Sequence, residues 1–413
     1  MLPRLRNGLD LLPSPVPEKP GIVIRDPFLY SDATLIVPPG LVACLEFFDG
    51  NHSSLDLREY LVGATGHLDV SQIVDHLTES LSNAGFLDDD VFLERKAAAE
   101  RAFAEAPVRE PAHAGSGYPD EKSELTRTFN EYLGSPSPEP QNRDRKEAGK
   151  LLAIAAPHVS PFGGVESYRA AYSALTPTDA ERTFVILGTS HFGEPDRLGL
   201  TRKPFVTPFG QTVPDTALID EILLKSGGLK SGGAAMEDYC HTVEHSIEFQ
   251  IVFLQHLYGP NIRVVPILCG SYANSIYRGG APESNDHVNR MLGTLGEIAA
   301  REGDRLLWVL GIDMAHMGRR YGDSFSAVAD HAEMAEVARR DRLRMERMES
   351  GDARGFWDLI QENHDDLKWC GSAPIYTFLK AVPQARARLL HYQQWNIDDQ
   401  SVVSFAGMSF HSS

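Results

Sequence analysis

Four short, nearly continuous apolar runs constrain this chain more than anything else in it: LLAIAAP (151–157), TFVILGT (183–189), RVVPILCG (263–270) and RLLWVLGID (305–313). Runs of this kind, with no polar alternation, are the pattern of strands buried on both faces. Between them lie segments with helical periodicity, SYRAAYSAL, DTALIDEILLKS, SIEFQIVFLQHLYG and HVNRMLGTLGEIAAREG, followed by a long charged stretch over 330–350. Strand and helix patterns in alternation predict an α/β fold, a layered sheet flanked by helices.

Upstream the texture differs. After a Pro-rich lead, residues 21–62 pass from short extended apolar pieces through a turn at Asp49-Gly50 into a helix, with Ser53 or Ser54 as candidate N-cap. A second helix is predicted from Val70, Ile73, Val74, Leu77 and Leu81, with Gly85 placed to end it. Two small helices and a short hairpin make 1–95 a winged-helix-like domain. The "DG" turn, the two helices and AGFLDDDVF resemble the winged-helix domain of the PqqD type, which implies peptide recognition. Residues 96–150 form a connection: ERKAAAERAFAEA has strong helix propensity, and SPSPEPQNRDRKEAGK is a Pro-rich, charged loop.

Charge narrows the partners. With 39 Lys+Arg against 57 Asp+Glu the net charge is −18, which repels phosphate backbones and anionic lipid, so neither nucleic acid nor a membrane is expected. Cys44, Cys240, Cys269 and Cys370 are far apart with no CxxC pair, which argues against a disulfide framework or zinc ribbon and for a reducing compartment. The opening residues, broken by Pro and charge, do not read as a signal peptide, and a cytoplasmic location is expected.

The candidate chemistry sits where the predicted strands end. LLAIAAP leads to His158, TFVILGTS to His191, RLLWVLGID to Asp313 and His316, and RVVPILCG ends on Cys269. EDYCHTVEHSIEFQ carries His241, Glu244, His245 and Glu248 at the mouth of a helix, and Cys370 precedes SAPIYTFLKA. A single histidine at a strand end is usually structural. Several strand-to-loop junctions supplying His, Asp or Cys to one sheet edge are a different matter, because open α/β sheets bind ligands at the carboxyl ends of their strands. Two imidazoles with one anionic donor suit a transition metal and leave positions open for water, oxygen or substrate. The HTVEH spacing imitates a zinc-binding helix but lacks the HExxH glutamate, and a zinc peptidase is disfavoured.

Longer blocks carry a family resemblance. REPAHAGSGYP (109–119), IAAPHVSPFGG (154–164), VILGTSHFG (185–193), FVTPFGQTVPD (205–215), VEHSIEFQIVFLQ (243–255), VVPILCG (264–270), GIDMAHMGRRYGD (311–323) and CGSAPIYTFLKA (370–381) follow the order of the Memo family, system protein B of the AmmeMemoRadiSam set. The resemblance begins near residue 109 and implies that 151–413 form a metal-pocket domain around a mixed sheet, similar to class III extradiol dioxygenases. It implies His158, His191 and Cys370 as metal ligands, and Asp313, His316 and His245 as further pocket residues. On that basis the expected protein is a non-haem metal protein with redox or dioxygenase-type chemistry. Iron(II) or copper is favoured over zinc, His245 or His316 would handle the proton, and Asp313 would orient it. Metal retention should fall below about pH 6 as imidazoles protonate. The alternatives are a peptide-binding scaffold with a vestigial pocket, or an accessory subunit acting with radical-SAM and AMMECR1-like proteins; the ligand itself would be a small molecule or a peptide. Two blocks depart from the family: Gly117 stands where Trp is usual, and PHVSP replaces PHAGY.

Overall fold

The computed structural model describes residues 1–134, 149–227 and 233–413. Most of the Pro-rich loop read at 135–150 therefore lies outside the described residues. The chain divides into two compact units, Met1–Ala106 and Pro107–Ser413. Among the described residues no helix is long and apolar enough to cross a membrane.

In the first unit an antiparallel sheet of Asp10–Pro13, Ile22–Arg25 and Thr34–Val37 precedes the helices Ser54–Thr65, Ser71–Asn83 and Asp90–Glu105. Ser53 is the N-cap: its hydroxyl accepts from the Asp56 amide while the Asp56 carboxylate accepts from the Ser53 amide at 2.6 Å, so each satisfies a donor the other leaves free. Val74, Leu77 and Leu81 turn inward as their spacing requires, joining Leu57, Leu61, Phe86 and Leu87 in one core, whereas Ile73 stays exposed. Gly85 adopts φ 71° just past the second helix, a left-handed backbone that glycine enters without strain. The helix read as the start of a connection belongs to this unit, beginning at its own N-cap, Asp89.

The second unit is built on a mixed sheet. The four apolar runs form adjacent strands in the order Arg263–Cys269, Thr183–Thr189, Leu306–Gly311, Leu151–Ala156, all mutually parallel. Alternate residues along them enter different cores: Ala153, Val185, Leu187, Trp308 and Leu310 pack on one face, and Ile154, Phe184, Ile186, Leu307 and Val309 on the other. This two-sided burial is why the runs show no polar alternation. Antiparallel partners close the flanks. The long hairpin of Ala385–Asp398 and Ser401–Ser412 adds its second arm beside Leu151–Ala156, and Leu198–Leu200 pairs with Arg263–Cys269. Because the four central strands run the same way, their following loops emerge at one edge.

Candidate metal centre

Three of those loops deliver the predicted residues. His158 follows Leu151–Ala156, His191 follows Thr183–Thr189, and Asp313 with His316 follows Leu306–Gly311. A fourth segment, Glu244 to Ile247, folds across the strand ends: the Ser246 hydroxyl donates to the Thr189 carbonyl at 2.8 Å, and a Cβ on Gly311 would lie 2.1 Å from the Ser246 carbonyl oxygen. The strand must therefore end in glycine for the turn carrying His245 to seat. Gly311→Ala is expected to lower stability by about 1–3 kcal/mol, the usual cost of forcing extra volume into a packed site, read as a lower urea midpoint.

His158, His191 and His245 each bring one ring nitrogen within 4.8 Å of the others. Their ring centroids form a near-equilateral triangle with sides of 5.0, 5.2 and 5.1 Å. The Cys370 sulfur stands 3.3 Å from His158 Nε2 and hydrogen-bonds to His191, and an Asp313 oxygen is 3.4 Å from the same His158 nitrogen. The convergent group thus contains His245, which the sequence reading gave a proton-transfer role, together with His158 and His191, while the expected third ligand, Cys370, stands beside His158.

Hydrogen bonds orient each ring. His158 Nδ1 faces the Gly311 carbonyl at 3.0 Å, so Nδ1 carries the proton and Nε2 keeps a lone pair toward the cluster. Burial first, then the neighbouring His191, pushes the His158 pKa down to about 3, so the ring is neutral. His191 Nδ1 faces the Glu244 carboxylate at 3.0 Å, and the same buried carboxylate accepts the amides of His191, His245 and Ser246 at 2.9, 3.0 and 3.2 Å. Burial disfavours charge on His191, yet Glu244 and Cys370 outweigh it and hold its pKa well above that of a free imidazole. His245 is driven well below by burial, despite Glu244.

Asp313 accepts the amides of His158 and Val159 at 2.9 and 3.3 Å, and burial raises its pKa to about 6. His316 Nδ1 donates to the Met314 and Lys368 carbonyls at 3.0 and 3.1 Å, and burial lowers its pKa to about 4. The Tyr321 ring packs edge-on against it at 4.9 Å. Behind the cluster lies a clamp. Glu248 pairs with Arg109 and accepts from the Ala112 and His113 amides at 3.1 and 3.0 Å and from the Tyr118 hydroxyl at 2.6 Å. The clamp holds His113 edge-on to His245, with ring centroids 5.5 Å apart.

Other candidates stay outside. His241 sits in a short 3-10 turn, Tyr239–Thr242, with Nε2 on the Gly199 carbonyl at 3.1 Å, so HTVEH does not present two histidines on one helical face. Cys269 and Cys240 are buried among apolar side chains, and burial pushes the Cys269 thiol up to about 12. Gly117 abuts Phe249, whose ring atoms would lie 2.8 Å from an added Cβ, so Phe249 occupies the space a larger residue there would need. The sequence reading missed His113, Tyr321 and the bracing role of Glu244. Glu244 could have been suspected from its place beside His245, whereas His113 and Tyr321 carry no local signal.

A parallel-centred α/β sheet whose carboxyl-end loops bring His158 and His191 together with His245 from the segment folded across them defines an α/β protein with a metal-capable histidine pocket. The chain belongs to the Memo-like protein family, whose model matches residues 109–409. It is 26% identical over 404 residues to a MEMO1 family protein of Aquifex aeolicus, a match covering 94% of this chain and 96% of that one, so the likeness extends into the first unit. A MEMO1 family protein of Thermococcus kodakarensis is 29% identical over 73% of this chain and 99% of its own length. The memo-1 homolog of Caenorhabditis elegans is 26% identical over 72% and 80%.

Proposed function

We propose that the pocket is a transition-metal centre serving redox or dioxygenase-type chemistry on a small-molecule ligand, with iron(II) or copper as the ion. One observation carries the reading: ring nitrogens of His158, His191 and His245 converge from three separate segments, with the sulfur of Cys370 3.3 Å from His158 Nε2. The donor set fits such an ion, since His158 and His191 have their Nδ1 atoms committed elsewhere, which leaves their Nε2 atoms for the cluster, and a thiol beside imidazoles suits copper or iron. Zinc would accept the same donors but brings no redox chemistry. Bound there, the ion would supply electron transfer and activation of a coordinated ligand.

The protein's own groups do the rest. His158, His191 and Cys370 hold the ion, with His245 close enough to add a fourth donor. Asp313, with its pKa raised to about 6, and His316, whose Nδ1 is held by the Met314 and Lys368 carbonyls, can exchange a proton beside the cluster. Glu244 orients His191 and the turn bearing His245. The test is metal analysis of protein purified without oxygen, followed by oxygen-uptake measurements with His158→Ala and Cys370→Ser beside wild type. Stoichiometric iron or copper that is lost in His158→Ala is expected. Wild type devoid of transition metal, or a variant with undiminished content, overturns the proposal.

A further inference from the structure

We propose that Asp341, on the helix Glu333–Ser350, is a positioning residue for this centre, holding two of its segments in register through one buried carboxylate. The inference rests on the metal reading above and adds a residue that touches none of the proposed donors.

Three other acids on this helix pair with arginines, Glu336 with Arg339 and Glu346 and Glu349 with Arg342. Asp341 is fully buried, and among the described residues it forms no ion pair. Arg344, one turn along, sends its guanidinium to the Arg340 and Leu359 carbonyls instead. A buried carboxylate is costly unless its oxygens are well hydrogen-bonded. Here the partners are all neutral donors: the Trp369 indole N–H on Oδ1 at 2.7 Å, and the hydroxyls of Tyr392 and Ser404 on Oδ2 at 2.9 and 2.6 Å.

Two of those donors belong to the site. Trp369 is the residue before Cys370, and its indole is anchored at Asp341. Ser404 gives its hydroxyl proton to Asp341 and with its lone pair accepts the Ala315 amide at 2.9 Å, while its backbone pairs with Met314 and Ala315 at 2.8 and 2.9 Å. Ala315 lies between Asp313 and His316. A carboxylate only accepts, so it dictates which way each hydroxyl points, and the run from Ala315 through Ser404 to Asp341 has one polarity. The Cys370 and Asp313–His316 segments are also stitched directly, His316 to Leu367 at 2.9 Å and Gly371 to Asp313 at 3.0 Å. Asp341 braces that seam from behind.

An amide in its place would keep the volume but turn one acceptor into a donor facing another donor. The experiment loads wild type, Asp341→Asn and Trp369→Phe with cobalt(II) as the probe, and reads affinity, the thiolate-to-cobalt charge-transfer band and the urea midpoint. Asp341→Asn is expected to weaken cobalt binding by about tenfold, as loss of outer-sphere partners does at other metal sites, and to shift the band. Trp369→Phe, which keeps most of the ring packing and removes the single N–H, is expected to shift the band in a folded protein; it decides the matter alone if Asp341→Asn does not fold. Lower stability with wild-type affinity and an unchanged band would show Asp341 to be purely structural and overturn the inference. Wild type that takes up no cobalt overturns the metal reading itself, and this inference with it.

Discussion

Glu248→Ala is expected to destabilise the protein by about 3–5 kcal/mol, the range seen when one partner of a buried ion pair is removed, measured by urea unfolding. The variant leaves the Arg109 guanidinium buried without a counter-charge, and it strands the Ala112 and His113 amides and the Tyr118 hydroxyl, which all point at the Glu248 carboxylate. Glu248→Gln keeps an acceptor and should lose less. The pH dependence has a definite sign. Burial alone would raise the Glu248 pKa, but the Arg109 charge, aided by His113 and Tyr118, outweighs it and depresses the pKa below that of an ordinary glutamate. A group with a depressed folded-state pKa contributes stability above its unfolded value, about 4.3 for glutamate, and loses it as pH falls through the folded value. Wild type should therefore lose stability more steeply below about pH 4 than Glu248→Gln; parallel acid limbs would refute this role.

Glu244→Gln should weaken metal retention by about 10–100-fold, the usual effect of losing the partner that orients a ligating histidine, while the protein stays folded. Its carboxylate is the acceptor for His191 Nδ1 and for the amides of His191, His245 and Ser246. An amide cannot serve every one of those donors, and it removes the negative charge that keeps the His191 pKa high. A second readout follows, because in the metal-free variant the His191 titration observed by NMR should move to lower pH. Unchanged metal content together with an unchanged titration would contradict the assignment. These shifts also revise the simple expectation of metal loss below pH 6. Burial pushes the His158 pKa down to about 3 and keeps that ring neutral, so His191, with its raised pKa, holds the proton an ion must displace, and affinity should begin to fall at a higher pH than it would with unperturbed imidazoles.

Much of the second unit's architecture was legible in the sequence. The four central strands lie where unbroken apolar runs marked them, because burial on both faces removes any need for alternation. The C-terminal hairpin was not anticipated. Its inner arm, Ser401–Ser412, is almost wholly buried, but its apolar residues are diluted by Ser and Gly, and its antiparallel place beside Leu151–Ala156 depends on a partner some 250 residues away. In the first unit the capping residue and the inward face of Ser71–Asn83 were readable from local chemistry. A helix assigned to the connection proved part of that unit, since strong propensity tells that a helix forms and not what it packs against.

The site divides along the same line. That His158, His191, Asp313 and His316 would share an edge followed from their places just after strands, given that the strands are parallel neighbours, whereas Cys370 precedes a helix and entered as a ligand only through the family resemblance. The sequence could not say that His245 would stand as close to His158 as His191 does, while His241, four residues earlier, would turn away to the Gly199 carbonyl. What the sequence by itself determined, then, was local: which segments are strand or helix, and which donors lie at their ends, because period and capping act over a few residues. Only the tertiary structure decided which donor atoms meet and which buried carboxylates brace them. Glu244, Glu248 and Asp341 find their main partners up to 139 residues away, and such pairings are set by how the layers stack.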